Sequence, residues 1–269
     1  RRNAQTPLKD TTQPFFDAVE CPEPLFPRLP MIQSQKIHMR EEVYVGPKSF
    51  VCCTKGIHPW RQGYIYRDEV GQVNTMQKFN TVIIGGGASG IVAAISAKRC
   101  GKDVVICEKM PRLGKKILIS GAGRCNISNQ DLSESHYNPE ARGIVKSVFS
   151  RFGRERIEKF FNELGLKFYS DGKRIFPVTN QAASVLKVLE EELKNLKIPV
   201  EFDFEVNHIA GSANGFIVKS KSGKSISCDS IVITGGGKTY PSLGSKGSCY
   251  DLAKAFGHKI IEPVPSAVP

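Results

Sequence analysis

From Met76 onward the chain alternates short apolar runs with helix-length amphipathic segments, which is the pattern of βαβ units. Residues 79–84 are apolar and rich in β-branched side chains, as is typical of a buried parallel strand. The stretch "IVAAISAKRC" predicts a helix, Gly101 lies where a glycine commonly ends one, and "DVVIC" predicts the next strand. This half of the chain therefore predicts an α/β domain over residues 76–269.

Apolar spacing farther along predicts three more helices and a hairpin. Residues 138–168 contain two sets of apolar positions at helical spacing, and their aromatic residues are expected in the core because they fall on one face. Residues 182–196 predict another helix, with Pro199 beyond its end. Residues 215–233 predict an inserted β-hairpin that turns at Ser222 and Gly223 and leads into a parallel strand.

Residues 1–75 differ from the rest, since they hold 8 of the 16 prolines and only 4 of the 25 glycines. Proline removes a backbone donor and fixes φ, so this segment is expected to be irregular and poorly ordered, or to form short strands near residues 41–56 and 64–73. Met76 has the features of a natural protein start. We therefore predict an N-terminal extension, 1–75, that is separate from the domain at 76–269.

Composition excludes several classes of protein. No apolar run is long enough to cross a bilayer, and the basic amino terminus has no apolar signal region, so a cytoplasmic location is expected. The eight cysteines show no paired spacing, which predicts buried free thiols and no metal site. The net charge of +12 is spread along the chain, which indicates a generally basic surface or an anionic cofactor and makes nucleic acid an unlikely partner.

The strongest motif is the series Gly85-x-Gly87-x-x-Gly90, which follows the first predicted strand. In this Rossmann-like arrangement the first glycine makes a tight turn, the second lets the backbone approach a pyrophosphate, and the third allows close helix–strand contact. The helix amino terminus offers free N–H groups to the phosphates. Glu108, at the end of the second strand, is within reach of a ribose 2′-hydroxyl and would repel a 2′-phosphate, which favours FAD or NAD over NADP.

A second unusual stretch is "KKILISGAGRCNISNQ", residues 115–130, which directly follows the acidic residue. Gly121 and Gly123 would let the main chain approach a flat ring or a phosphate. Arg124 supplies a fork of donors for a phosphate or a ring carbonyl, and Asn126 and Asn129 can hold an irregular loop. A solvated basic loop would show the same composition.

Four segments resemble the YhiN-like (BaiN/RdsA-type) NAD(P)/FAD-dependent oxidoreductases in order and spacing. They are "VIIGGGASGIVAA", "GKKILISGAGRCNISN", "RIFPVTNQAASVLKVL" and "ITGGGKTYPSLGSKGSCYDLAKAFGH", and the likeness covers residues 78–269. It implies an FAD-binding Rossmann-like three-layer domain, with NAD(P)H as an optional electron donor.

The resemblance also implies where FAD would bind. Val206 would present a backbone amide to adenine, and Cys125 would line the flavin, although a redox thiol is an alternative role for it. The implied cofactor-binding residues are Gly85, Gly87, Ala88, Ser89, Gly90, Glu108, Lys109, Lys115, Ser120, Gly121, Arg124, Cys125, Asn126, Val206, Thr234, Gly235 and Gly236.

The chain departs from the family pattern at Ala122, where the family has a third glycine, and at Lys238, which adds a charge near the cofactor. Members of the family continue with a substrate domain and a last flavin-contacting segment, so the chain is expected to be a fragment or to fold with an open cofactor edge. For that reason no catalytic residue is assigned. We expect an FAD-dependent oxidoreductase that reduces an activated C=C bond or oxidises a small amine. An inactive FAD-binding module and a basic RNA-associated flavoprotein are the alternatives.

Overall fold

A computed structural model describes residues 63–67, 73–212 and 215–264, all of which belong to one compact unit, 57–269. The ten strands of the described residues are β1 (Gly63–Arg67), β2 (Val73–Ile84), β3 (Val104–Cys107), β4 (Ser128–Asn129), β5 (Phe168–Asp171), β6 (Arg174–Pro177), β7 (Val200–Glu201), β8 (Val206–Ser212), β9 (Gly215–Ser220) and β10 (Ser225–Ile233). The six α-helices are α1 (Ala88–Arg99), α2 (Lys115–Ile119), α3 (Pro139–Arg151), α4 (Arg154–Glu163), α5 (Ala182–Asn195) and α6 (Ser248–Ala255).

The main sheet has seven strands and is parallel at its centre. Its order is β7-β3-β2-β10-β9-β8, with β1 paired antiparallel to the first part of β2. Strands β7, β3, β2 and β10 run parallel, and β10, β9 and β8 form an antiparallel meander. The fold is thus α/β and Rossmann-like, as the sequence predicts. The predicted hairpin is present as β9 and β10, and β8 extends it to three strands.

Side chains of alternate residues in the central strands enter two different apolar clusters. Ile83 and Ile106 pack with α1 and α5, whereas Val82 and Val105 pack on the other face of the sheet. Both clusters are almost fully excluded from solvent at their centres, with Ile83, Val82, Val105 and Ile106 at 0% exposure. Burial on both faces explains the continuous apolar runs of β2 and β3, since a strand covered on one face only would alternate with polar residues.

The helices predicted between residues 138 and 168 are present as α3 and α4, but the expected burial of their apolar face is wrong for α3. Ile144 is 69% exposed and Val148 is 48% exposed. Phe149 contacts Tyr137 edge to face, which is a local contact rather than a core contact. Periodicity predicts which residues share a face, but it does not predict which element covers that face. On α4, Phe160 and Phe161 are half-buried against the main core.

The second sheet is small and has the order β4-β6-β5, with both pairs antiparallel. Its first strand, β4, belongs to the stretch 115–130 that the sequence singles out, because it is formed by Ser128 and Asn129. Its strand β6 contributes the buried residues Ile175 and Phe176. This sheet therefore anchors the carboxyl end of the glycine-containing loop.

The predicted domain start at Met76 lies inside β2, whose first residues pair with β1. The other expectations for residues 1–62 fall outside the described residues, and the boundary stays a prediction.

Among the described cysteines, Cys107, Cys125 and Cys228 are buried thiols as predicted, whereas Cys249 is half-buried and Cys100 is exposed. No helix in the described ranges combines the length and the apolar character that a membrane span requires.

Candidate dinucleotide-binding site

The carboxyl ends of three parallel strands meet at one edge of the main sheet. Ile84 at the end of β2 lies beside Cys107 of β3 and beside Ile233 of β10. The residues that follow these strands, Gly85, Glu108 and Thr234, are therefore neighbours, although up to 149 positions separate them in sequence. In open α/β sheets, ligands bind outside the carboxyl ends of the strands.

The three glycines of the motif have different surroundings. A Cβ on Gly85 would lie 2.8 Å from the carbonyl oxygen of Thr234, and one on Gly90 would lie 1.9 Å from the carbonyl oxygen of Gly85. A Cβ on Gly87 would meet no atom within 4 Å. Gly85 and Gly90 are therefore required by packing between the turn, α1 and β10. The space beside Gly87 is open.

The amino end of α1 is suited to an anion. Gly87 is its N-cap with no side-chain hydrogen bond to the helix, and the first turn contains no acidic residue. Ala88 and Ser89 are exposed at this end. Because the first amides of a helix have no intrahelical acceptor, they can donate to a phosphate, and the helix dipole favours its negative charge.

Glu108 holds the turn that follows β2. Its carboxylate accepts a hydrogen bond from the Gly86 amide and a second, 2.8 Å long, from the Met110 amide. The side chain is only 9% exposed. The carbonyl oxygen of Glu108 accepts a 3.0 Å hydrogen bond from the amide of Phe204, which brings the start of β8 at Val206 close to the acidic residue. The segment that leads into Val206 is thus hydrogen-bonded to Glu108, and the adenosine contacts predicted for these two residues stay predictions.

Thr234 joins β10 to the glycine turn. Its amide donates to the carbonyl of Ile84 at 2.8 Å, and its hydroxyl lies 2.9 Å from the carbonyl oxygens of both Ile84 and Gly85. A Cβ on Gly235 would lie 2.0 Å from the Cys249 sulfur, so α6 packs directly on this backbone. Packing against α6 therefore accounts by itself for a glycine at position 235.

The loop that follows α2 forms a compact turn. The Ser120 hydroxyl donates to the carbonyl of Ile117 at 2.8 Å, and Gly121 has a φ of +56°. A Cβ on Gly121 would lie 2.6 Å from the Asn126 amide, so the two ends of the turn are in contact. Lys115, at the start of α2, is half-buried. The backbone freedom that the sequence predicts at Gly121 is thus used to close this turn.

Two residues of this loop have structural partners within the protein. The Cys125 thiol lies in the apolar cluster of the main core, where burial raises its pKa and a hydrogen bond with Ser120 opposes that shift. The Arg124 guanidinium lies 4.2 Å above the Phe176 ring and pairs with Asp171 at 3.3 Å. Their predicted contacts with a cofactor stay predictions. A thiol whose pKa is raised is a poor redox nucleophile at neutral pH.

Sequence reasoning did not identify Lys116 and Ser245 as site residues. The ammonium group of Lys116 donates to the Ser245 hydroxyl, which links α2 to the loop after β10. Lys109 and Met110 lie against Gly244 of the same loop. No motif marks this pair, since 129 positions separate the two residues. Only the convergence of the loops at the carboxyl edge brings them together.

A depression of about 820 Å³ adjoins the glycine turn on the side of α6. The end of β10, residues 234–236, α6 and residues 258–260 line it, together with Ser89. On the side away from β2, β10 is paired with β9 only from Ser225 to Cys228, so within the described part its last residues form an open strand edge. This edge and the depression are continuous with the candidate phosphate site, because Thr234 and Gly235 belong to both.

Comparison with known proteins finds a family and individual relatives that match this part of the chain. The model of the family described as "HI0933-like protein Rossmann domain" matches residues 79–265. A 3-dehydro-bile acid delta(4,6)-reductase of Clostridium scindens is 43% identical over 188 residues, which is 69% of this chain and 46% of that protein. A ribosomal RNA dihydrouridine synthase of Escherichia coli is 27% identical over 194 residues, which is 72% of this chain and 48% of that protein. The chain thus spans about half the length of these curated relatives.

Among solved structures, the open conformation of a flavocytochrome c3 fumarate reductase aligns with a TM-score of 0.47 at 17% identity. The alignment covers 66% of this chain and 40% of that one.

Proposed function

The chain belongs to the HI0933-like family, a family of FAD-dependent oxidoreductases, and carries its Rossmann domain; we propose that it binds FAD at the carboxyl edge of its parallel sheet. The observation that carries the proposal is the open space at Gly87, directly before the uncapped amino end of α1. A pyrophosphate needs both features, because the backbone must approach it and amides must donate to it.

The described residues fit the rest of the cofactor. The amides of Ala88, Ser89 and Gly90 would donate to the pyrophosphate. Glu108 keeps lone pairs for a ribose hydroxyl, since within the described part of the chain one of its carboxylate oxygens accepts from the Gly86 amide and the other from the Met110 amide. Because Glu108 would repel a 2′-phosphate, the site favours FAD over NADP.

When bound, FAD would supply the hydride and electron chemistry, and the protein would bind and orient it. The chain itself contributes a rigid phosphate-binding cradle, namely the glycine turn and the amino end of α1. The Thr234 hydroxyl ties β10 to the glycine turn at 2.9 Å, and the buried Glu108 ties the same turn to β3. A cradle held from both sides keeps its amides in place before the ligand arrives, which reduces the entropy lost on binding.

For the reaction, we propose reduction of a carbon–carbon double bond in a small molecule. The 43% identical relative is named a delta(4,6)-reductase, and the 27% identical relative is named a dihydrouridine synthase. Both names describe products that have gained hydrogen. A nicotinamide donor would bind away from Glu108, since NADPH carries the 2′-phosphate that this carboxylate disfavours.

An RNA substrate is the second candidate. It is favoured by the names of two relatives at 27% and 26% identity and by the net charge of +12. Filter binding of a ribosomal RNA fragment at increasing salt tests it. An RNA-directed enzyme should bind with an affinity that falls steeply with salt. Weak binding without that salt dependence would leave the small-molecule substrate as the conclusion.

The first test is an FAD titration of the purified chain, followed by gel filtration. Wild type should retain a flavin band near ~450 nm. Gly87→Leu should fold and reject FAD. The Gly87 backbone is extended, with a φ of −80°, and a Cβ there would meet no atom within 4 Å, so the leucine side chain would occupy the space proposed for the pyrophosphate. Gly143→Leu, in the exposed part of α3, is the matched control and should bind FAD normally.

A colourless wild type, or equal FAD binding by Gly87→Leu and wild type, would contradict the proposed site. A chain that retains FAD but is not reduced by NADH or NADPH would be a binding module. Flavin reduction by small amines under anaerobic conditions would instead favour amine oxidation over C=C reduction.

A further inference from the structure

A buried polar contact links α2 to the loop after β10. The Lys116 ammonium donates to the hydroxyl of Ser245. Ser245 is only 2% exposed, and Lys116 is half-buried. A serine this well buried needs a hydrogen-bond partner, and the lysine supplies it. The pair therefore holds the lysine side chain in one place.

That place is the carboxyl edge of β10. A Cβ on Gly236 would lie 2.9 Å from the Lys116 ammonium nitrogen and 3.1 Å from the Ser245 hydroxyl. Gly236 lies two positions after Thr234, whose hydroxyl contacts the glycine turn that is proposed to hold the pyrophosphate. The Lys116 ammonium group therefore lies at the sheet edge where the cofactor would bind.

The charge of Lys116 is not neutralised by the described residues. Among the described residues, its ammonium group donates to a neutral hydroxyl and forms no ion pair. Lys238, which follows β10 in the same loop, differs because it pairs with Glu262. A half-buried ammonium group without a counter-ion is costly, and an arriving anion would offset that cost.

We propose that Lys116, positioned by Ser245, is the counter-charge for an anionic part of bound FAD. The inference rests on the proposed function and adds a specific residue to it. Two parts of the cofactor share the required chemistry, namely the pyrophosphate and the flavin ring, which becomes anionic on reduction. A lysine is suited to either, because an ammonium group acts as a compact point charge.

The experiment compares variants of the full chain by FAD affinity, ADP affinity and flavin midpoint potential. Lys116→Met removes the charge and keeps the length of the side chain. Lys116→Arg keeps the charge. Lys102→Met is the matched control, because it removes the same charge from the exposed turn before β3, at the opposite end of the sheet. Ser245→Ala frees the lysine without removing its charge.

We expect Lys116→Met to weaken FAD binding about tenfold or more, as for a lost hydrogen bond to a charged group. Lys116→Arg should stay within about threefold of wild type, Ser245→Ala should lose about threefold, and Lys102→Met should match wild type. A parallel loss of ADP affinity assigns the charge to the pyrophosphate. Unchanged ADP affinity with a lowered midpoint potential assigns it to the flavin ring.

The proposal is overturned if Lys116→Met and Lys102→Met give the same FAD affinity and the same midpoint potential. A wild type that does not bind FAD contradicts the proposed function itself, which is a different result. Circular dichroism and thermal unfolding check each variant. If Lys116→Met does not fold, equal FAD affinities for wild type and Ser245→Ala would overturn the positioning role.

Discussion

The hydroxyl of Thr234 lies 2.9 Å from the carbonyl oxygen of Gly85, which joins the ends of two strands that are far apart in the chain. The same hydroxyl lies 2.9 Å from the carbonyl of Ile84. One side chain thus links the residue that follows β10 to the start of the glycine turn. The shape of the candidate pyrophosphate site depends on this contact as well as on the glycines.

Thr234→Val should therefore destabilise the protein by about 1 kcal/mol, because the isosteric side chain removes the one hydroxyl donor that the carbonyl oxygens of Ile84 and Gly85 share. The Ile84 oxygen still accepts a hydrogen bond from the Thr234 amide. Urea unfolding measures the change. Thr179→Val is the control, since its hydroxyl bonds to Ser184 at an exposed position. Equal effects of the two substitutions would show that the Thr234 contact adds nothing specific to the sheet edge.

Gly90→Ala should be more disruptive than Thr234→Val. The new Cβ would lie 1.9 Å from the Gly85 carbonyl oxygen, so α1 or the turn must move, at a cost of about 1–3 kcal/mol. Gly143→Ala inside α3 meets no atom within 4 Å and should instead stabilise by about 0.5–1 kcal/mol. Urea unfolding of both variants is the measurement, and a neutral Gly90→Ala would contradict the described helix–strand approach.

The buried thiols predict a loss of stability at high pH. Burial raises the pKa of Cys107 from 9.0 to about 12, with a smaller effect of the Glu201 charge, and burial raises that of Cys228 from 9.0 to about 11. Above pH 9 the unfolded chain loses these protons while the folded protein keeps them. The free energy of unfolding should therefore fall between pH 9 and 11, by about 1.4 kcal/mol per pH unit for each thiol.

Urea unfolding from pH 8 to 10.5 gives the slope with pH, and Cys107→Ala isolates the contribution of one thiol because lysines and tyrosines are unchanged. Its slope should be shallower than that of wild type. Identical slopes would mean that Cys107 ionises equally in both states. Alkylation at pH 8 followed by peptide mass spectrometry should modify the exposed Cys100 before Cys107 and Cys228.

Because one apolar face of α3 is exposed, substituting an apolar residue on that face should change the stability of the protein very little. Ile144 is 69% exposed, so Ile144→Gln should change the free energy of unfolding by less than about 0.5 kcal/mol. Leu189→Ala, at 1% exposure in α5, should cost about 2–5 kcal/mol. Thermal or urea unfolding separates the two, and a large cost at Ile144 would mean that another part of the protein covers this face.

Much of the central fold follows from local pattern. The apolar β-branched runs predict β2 and β3, Gly101 ends α1 with a φ of +74°, and the turn at Gly223 separates β9 from β10. These features depend on interactions between residues close in sequence, or on burial of both sheet faces, which leaves a continuous apolar run. The α/β class and the glycine turn were therefore predictable.

The sequence could not predict which apolar faces are covered or which loops converge. Ile144 and Leu189 both lie on apolar helix faces, yet only Leu189 is buried, because coverage depends on how distant segments pack. Cys125 has its thiol in the apolar cluster of the main core, and its contact with a flavin, which the family resemblance implies, stays a prediction.

Local spacing was sufficient to specify the α/β order, the three glycines and the acidic residue at the end of β3, because strand, turn and helix each depend on neighbouring residues. The contacts of Thr234 with Gly85 and of Lys116 with Ser245 join positions 149 and 129 residues apart. No periodicity connects such positions. They become neighbours only when the parallel strands align their carboxyl ends, and this alignment creates the edge at which a cofactor can be held.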